Sequence, residues 1–508
     1  MLQLAPESAP VAVQHVARRR LWVISLVVGV TASVVSLIGS WIPSLWGDEA
    51  ASVLSAQRPL GSLFMMLGHV DAVHGFYYLG LHFWVGVAGS SPFAVRLPSA
   101  IAVGVAAAAV SWLCGRLGST RLAVLAGAIA VVLPRLTYAG EEARAYAFDA
   151  GIAAVLCVIV AEVVLRHGRS IGLWVAYGLV LTLGIYSFLY VGLMALAAGV
   201  FVLATPSARR HLRGWAIATG AAVLGSTPLL VFAFLERNQV SYLHHRVEVT
   251  PSSVLVQMWF GAVPFAIVAW ALIAVAIVVP VVKAVRRRLA GTTMAGQGHP
   301  SVVVLAACWL FIPVGLLIMS SPLIAGYTAR YGTFAAPAAA VLMACGIEAI
   351  GKRVWMRVAA AAVVVATALP VWVGQRAAYA MNESDWNEIA STVHAKAQQS
   401  DGIVFDEAVR PSRRTRLAMD TDPAAFDAVK DVTLSSPYAD NPTWHDDTYT
   451  VTQAADLGHF SGIDRVWVVE YSTGAHTDTW GISSLEALGY HRTIAYTEHR
   501  SIVYLFTR

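Results

Sequence analysis

Charge is what this chain has least of. Only 13% of its 508 residues are Asp, Glu, Lys or Arg, about half the share usual in soluble domains, which excludes an ordinary water-soluble fold. The basic residues lie between apolar runs, so the formal net charge of +5 forms no stripe suited to nucleic acid. Cysteine is sparse too. Cys114, Cys157, Cys308 and Cys345 sit in or beside apolar runs with no metal-ligand spacing, so they read as packing residues and exclude a thiolate metal site. None follows Met381, which leaves the tail independent of disulfides on either side of a membrane. A GxGxxG or P-loop pattern is missing from the strand–helix junctions of the tail, so no nucleotide site is indicated. Internal repeats and low-complexity tracts are missing as well.

Hydrophobicity takes the place of charge: 57% of residues are hydrophobic and mean hydropathy is +0.64. About 20 apolar residues cross a bilayer. Such runs occur near 21–42, 92–115, 120–138, 143–165, 171–187, 189–205, 214–235, 254–282, 301–320, 331–350 and 355–374, which predicts about eleven transmembrane helices. The stretch 171–205 reads either as two short helices or as one long tilted one. Residues 1–20 form a cytoplasmic N-terminal segment. Arg18-Arg19-Arg20, with no small-residue cleavage site close behind, mark the first run as an uncleaved signal anchor.

Lys and Arg then recur at alternate connections: Arg116 with Arg121, Arg166 with Arg169, Arg209 and Arg210 with Arg213, Lys283 with Arg286-Arg287-Arg288, and Lys352, Arg353 and Arg357. By the positive-inside rule these connections are cytoplasmic. That splits 171–205 into two spans and puts the tail outside. The tail, 381–508, alternates helix and strand signals: a helix from Ser384-Asp385-Trp386, buried strands at Ile403-Val404-Phe405 and Val466-Trp467-Val468-Val469, and a closing pair at 494–496 and 502–506. The expected architecture is a polytopic α-helical membrane domain over 21–376, followed by an extracytoplasmic α/β domain over 381–508.

The remaining polar residues cluster. Trp46-Gly47-Asp48-Glu49-Ala50 follows the first span and opens a long outer loop, 43–91. Two adjacent carboxylates there either N-cap a surface helix beginning near Ala50, or face a cavity where one acts as a base. The same loop carries His69, Asp71 and His74, which read as polar groups lining an outward cavity rather than a metal site, and the interfacial aromatics Tyr77, Tyr78 and Trp84. A second dense cluster, Tyr138-Ala-Gly-Glu141-Glu142-Ala-Arg144-Ala-Tyr146-Ala-Phe148-Asp149, precedes the fourth span. If helical, Glu141, Arg144 and Phe148 share one face. Internal ion pairing explains the charges, and so does an arginine fork for phosphate. Tyr186-Ser-Phe-Leu-Tyr190 reads as an interfacial aromatic belt. Loop 236–252, with His244 and His245, is polar and fixes no role. Tyr327-Thr-Ala-Arg330-Tyr331 offers a second arginine, either snorkelling or holding a lipid phosphate.

In this order the motifs resemble a GT-C type membrane glycosyltransferase, of the group that includes protein O-mannosyltransferases and the aminoarabinose transferase of lipid A. The resemblance covers roughly 20–350. It is carried by Trp46-Gly47-Asp48-Glu49-Ala50, His74-Gly-Phe-Tyr77-Tyr78-Leu-Gly-Leu-His82, Arg96-Leu97-Pro98-Ser99, Glu142-Ala-Arg144-Ala-Tyr146 and Arg330-Tyr331. Members often read His-Pro-Pro-Leu-Tyr-Tyr where this chain has His74-Gly75-Phe76-Tyr77-Tyr78. The resemblance implies a polyprenyl-phosphate sugar donor, an acceptor (glycan, lipid or protein) at the outer face, and inversion at the anomeric carbon. By position it implies Asp48 as general base, Glu49 as an orienting carboxylate, Arg144 and Arg330 on the lipid phosphate, and Glu142 and Tyr146 at the sugar. His74, Tyr77, Glu141 and Tyr327 join them as donor or substrate contacts. No cofactor is called for, a divalent ion recruited by the acidic site being the one metal option.

An Ala/Val/Gly-rich style points to a high-GC bacterium, an actinobacterium, and to an enzyme of its cell envelope. Mannose is the favoured sugar and arabinofuranose or another pentose the alternative. A lipid or sugar transporter or flippase is the competing class. Transporters often pair repeats around mid-membrane polar residues, whereas here the polar residues gather at helix ends and the halves do not mirror each other.

Overall fold

The computed structural model describes residues 11–166, 170–236, 249–290, 300–321, 327–350 and 353–508. Residues 237–248 of the loop expected to be polar, together with Arg169, Lys352 and the first ten residues, lie outside them. The chain forms two compact units. The first comprises Met1–Leu37, Ser99–Glu141 and Ala145–Trp372; the second comprises Ile38–Pro98, Glu142–Arg144 and Val373–Arg508.

The first unit is helical and apolar. Helices at Arg18–Leu37, Pro92–Leu117, Tyr146–Leu165, Val263–Arg286, Val302–Ser320, Ala329–Ile350 and Val354–Gln375 are long and apolar enough to cross a membrane. Each of the eleven apolar runs has a helical counterpart among the described residues. Two are bent: Thr120–Val132 with Pro134–Gly140 by 58°, and Pro206–Gly225 with Thr227–Leu235 by 53°. The cause is local: Pro134 is the first residue of the second half of the first pair and Pro228 the second residue of that of the second pair, and proline lacks an amide donor and disfavours a helical residue before it. Counting each bent pair once gives up to nine candidate spans among the described residues, fewer than the eleven expected, because Ile171–Ser187 and Leu189–Ala204 fall short of the length required.

Outward faces such as Trp22, Val23, Val27 and Val30 are exposed hydrocarbon, as expected of a lipid-facing stripe. Inside, small residues let helices approach closely. A Cβ on Gly346 would lie 2.1 Å from the Leu272 carbonyl oxygen, so a larger residue there must separate the helices that carry them.

The second unit joins the long loop to the tail. Helices run over Gly47–Gln57, Leu60–Leu67 and Gly75–Ala88, with a short 3-10 turn at Ala72–His74. The tail begins with helix Trp386–Lys396 and contains strands β1 (Asp401–Phe405), β2 (Val429–Asp431), β3 (Leu434–Ser436), β4 (Asp447–Thr448), β5 (Arg465–Tyr471), β6 (His491–Thr497) and β7 (Ser501–Thr507). The main sheet has the order β2-β1-β5-β7-β6. Pairing is parallel for β1 with β2 and β5, and antiparallel for β7 with β5 and β6. Its core holds Val404, Val466, Val468 and Phe506, strand residues whose apolar runs were visible in sequence, with Phe460 and neighbours beside them.

Arg58 ties the loop to the tail. It is wholly buried, and its Nη1 donates to the Asn441 carbonyl at 2.9 Å while Nη2 reaches the Tyr438 and Thr443 carbonyls. Burying a guanidinium is costly unless hydrogen bonds compensate, and here the Nη1 and Nη2 donors find carbonyls while Nε has none among the described residues, so these contacts fix where the 437–445 loop lies against the Gly47–Gln57 helix.

Candidate active site

Gly47–Gln57 begins abruptly. Trp46 is its extended N-cap residue, and no side chain caps it. Asp48 and Glu49 occupy the first turn, where the helix dipole favours negative charge. Gly47 is required there, because a Cβ on it would lie 2.3 Å from the Ser412 carbonyl oxygen.

The two adjacent acids then part. Glu49 is fully buried, and Arg96 grips it bidentately: Nε donates to Oε1 at 2.8 Å and Nη2 to Oε2 at 2.5 Å. Arg96 is equally buried and spends its other donors on the Ser40, Pro43 and Ser44 carbonyls. Glu49 Oε1 also accepts the Ala143 amide at 2.8 Å. Asp48 remains half-buried.

That amide contact explains a departure from expectation. Residues 141–145 form a turn, and the helix begins only at Tyr146, so Glu141, Arg144 and Phe148 do not share a helical face. The turn delivers Arg144 to Asp48. Arg144 Nη1 donates to the Asp48 carbonyl at 3.2 Å, to Ser52 Oγ at 3.2 Å and to Tyr78 Oη at 3.4 Å. Its Nη2 lies 3.2 Å from His74 Nε2, which can accept from it when the ring proton is on Nδ1. Tyr78 Oη donates to Asp71 Oδ2 at 3.0 Å, and Asp71 adopts a left-handed backbone at φ 60°. Burial pushes the Asp71 carboxyl up from its usual range, and Arg144 and the Tyr78 hydroxyl pull it partway back.

Asp48, Glu49, His74 and Arg144 are thus brought together, and Tyr77 packs near Tyr78 with ring centroids 6.5 Å apart. Glu142 is buried in the same unit. Among the described residues His69, Asp71 and His74 do not form a cluster of metal-ligand atoms: His69 faces the Met65 carbonyl, while Asp71, bonded to Tyr78, and His74 both lie by Arg144.

The other expected residues belong to the first unit. Glu141 and Tyr327 are buried there. The Arg330 guanidinium lies 6.0 Å from the Tyr146 ring centroid, and Tyr146 also meets Phe188 at 5.8 Å and Tyr331 at 6.3 Å. Tyr190 joins them, 5.2 Å from Phe188 and 5.7 Å from Tyr331. Phe188 and Tyr190 of the aromatic turn thus pack with Tyr146 and Tyr331, and Tyr146 faces Arg330 within reach of a cation–π contact.

Sequence reasoning placed no site role on Arg96, Tyr78 or Ser52. Arg96 gave the strongest missed signal, since an arginine at the start of an apolar run needs a buried acid or carbonyl cage.

The fold is similar to that of GT-C membrane enzymes, and the chain is a multi-pass membrane protein. The ArnT of Cupriavidus metallidurans bound to undecaprenyl phosphate is similar at TM-score 0.56 and 13% identity, over 95% of this chain and 98% of that one. Its apo form is similar at TM-score 0.55 and 12% identity, over 95% and 97%. The family described as dolichyl-phosphate-mannose-protein mannosyltransferase matches residues 75–235. Among curated protein sequences none matches significantly.

Proposed function

We propose that this protein is an inverting glycosyltransferase that moves a sugar from a polyprenyl-phosphate donor to an acceptor hydroxyl at the outer face of the membrane. The observation that carries the reading is the division of labour at 48–49. One acid is sealed on Arg96 and holds the turn at Ala143, and its neighbour is left half-exposed beside Arg144. A structural cap would not need that split; a base with a fixed backbone does.

Asp48 takes the proton of the acceptor hydroxyl as its oxygen bonds to the anomeric carbon. The bond from that carbon to the phosphate oxygen breaks on the opposite face, and the electron pair leaves with the lipid phosphate. Arg144 and Arg330 supply positive charge to the phosphate as its charge develops. Glu49 positions the Ala143 turn and so Arg144. Glu142 and Tyr146 shape the sugar pocket, with His74, Tyr77, Glu141 and Tyr327 in support. If a divalent ion takes part at the acidic cluster, it adds charge stabilisation at the phosphate.

The helical unit is the membrane part, with its N-terminus cytoplasmic and the sheet domain extracytoplasmic. Mannose is favoured, supported by the family description over 75–235; arabinofuranose is the competing sugar. The test is purified protein in nanodiscs with a panel of polyprenyl-phosphate mannose and pentose donors, scored for lipid phosphate release. One donor should be turned over, and Asp48→Asn should retain donor binding while losing release. No release from any donor overturns the reading.

A further inference from the structure

We propose that Asp406, Glu470 and Asp478 form a binding site for a hard divalent cation (Ca²⁺, Mg²⁺ or Mn²⁺) at the carboxyl ends of β1 and β5. One oxygen from each of the three lies within 4.8 Å of the others. The parallel register pairs Phe405 with Val469, so the next residues, Asp406 and Glu470, emerge side by side. Crevices beyond the carboxyl ends of parallel strands are where α/β sheets bind ligands.

The cluster is more than a group of acids. Glu470 is completely buried, and neither of its carboxylate oxygens has a hydrogen-bond partner. Asp406 is held in place: Oδ1 accepts the Ala408 amide at 2.8 Å and Oδ2 the Tyr471 amide at 3.2 Å. Asp478 arrives on a loop pinned by the Ser472–Thr477 bridge and by its own amide on the Tyr471 carbonyl at 3.0 Å. Among the described residues no lysine or arginine forms an ion pair with any of the three.

A buried carboxylate without a partner costs several kcal/mol, and the group takes a proton or a counterion instead. A single proton leaves the other two acids facing each other. A divalent cation answers all three at once, and an all-oxygen donor set selects the hard ions.

The location gives the ion a purpose. Tyr471 follows Glu470, and its hydroxyl accepts Arg413 Nη1 at 2.9 Å and Arg500 Nη1 at 3.1 Å. These residues line an open cleft of about 340 Å³ that Trp46 and Gly47 also line. The cation clamps the strand end that carries this wall, next to the residues leading into Asp48.

The test uses full-length protein in nanodiscs, stripped with EDTA and titrated calorimetrically with CaCl₂, MgCl₂ and MnCl₂, with thermal unfolding in parallel. Wild type and Asp48→Asn should each show one saturable site and a higher unfolding midpoint with at least one ion, a readout independent of sugar transfer. Glu470→Gln, near-isosteric and uncharged, should weaken binding roughly ten- to a hundred-fold. If that variant fails to fold, Asp478→Asn, on the more exposed ligand, should show the same loss. The proposal is overturned if no ion raises the midpoint of wild type, if the effect survives undiminished in the tested variants, or if Asp48→Asn abolishes it.

Discussion

Two acidic clusters in the second unit are built on opposite principles. Around the Gly47–Gln57 helix, acids meet guanidinium groups: Glu49 is gripped by Arg96, and Arg144 serves the Asp48 backbone while pulling on Asp71. At the ends of β1 and β5, Asp406, Glu470 and Asp478 face one another with no such partner among the described residues. The sheet domain is able to supply one, since Arg416 pairs Glu407 at 2.9 Å and also Asp431. In a chain so poor in charge, a buried acid matched by arginine is architecture, and an unmatched set marks where charge from outside is to arrive. The same contrast holds inside the first cluster, where Glu49 is buried against Arg96 and Asp48 is half-exposed.

The largest effect should come from breaking the match. Arg96→Met leaves Glu49 buried without its counter-charge, a loss of about 3–5 kcal/mol, visible as a collapse in folded yield and in the unfolding midpoint. Adding Glu49→Gln removes the stranded charge and should restore a good part of that loss. An Arg96→Met protein as stable as wild type would end the claim that the pair is architectural. Asp48→Asn should do the reverse. Its midpoint should stay near that of wild type, while lipid phosphate release falls by roughly 10²–10⁴-fold.

The sequence carried the coarse helical layout because long apolar runs are a local signal. Each expected span has a helix, including both halves of 171–205. The tail strands with apolar runs were legible for the same reason. Val429–Asp431 and the β3–β4 pair were not, because strands of two or three residues carry no period to read. The site was legible as a list of residues and illegible as a set of pairings. Nothing near Glu49 announces Arg96, 47 residues away, and the turn at 141–145 reads as helix until the Ala143 amide is seen to be taken by Glu49. Long-range partners decide such details, and one sequence does not display them.

A smaller effect tests the fork geometry of Arg144. Arg144→Lys keeps the charge but cannot reach Asp48, Ser52, Tyr78 and His74 together. Turnover should drop about ten- to a hundred-fold, with a smaller change in folding. Near-normal turnover would mean that Arg144 acts as a point charge, and the local pairing would lose its meaning.

The smallest effect sharpens the comparison most. Tyr78 Oη donates to Asp71 and accepts from Arg144, so it links an acid to its arginine without bringing charge of its own. Tyr78→Phe removes that link while keeping the ring. If charge matching holds the cluster, Asp71 stays under the Arg144 field and the cost is one ordinary hydrogen bond, about 0.5–1.5 kcal/mol, with a few-fold drop in turnover. If the hydroxyl organises the cluster, Tyr78→Phe should instead approach Arg96→Met in severity, and Asp71→Asn should follow it. Unfolding midpoints and release rates of the three variants in the same nanodiscs separate these outcomes, because only the second makes a neutral hydroxyl as costly to lose as a buried guanidinium.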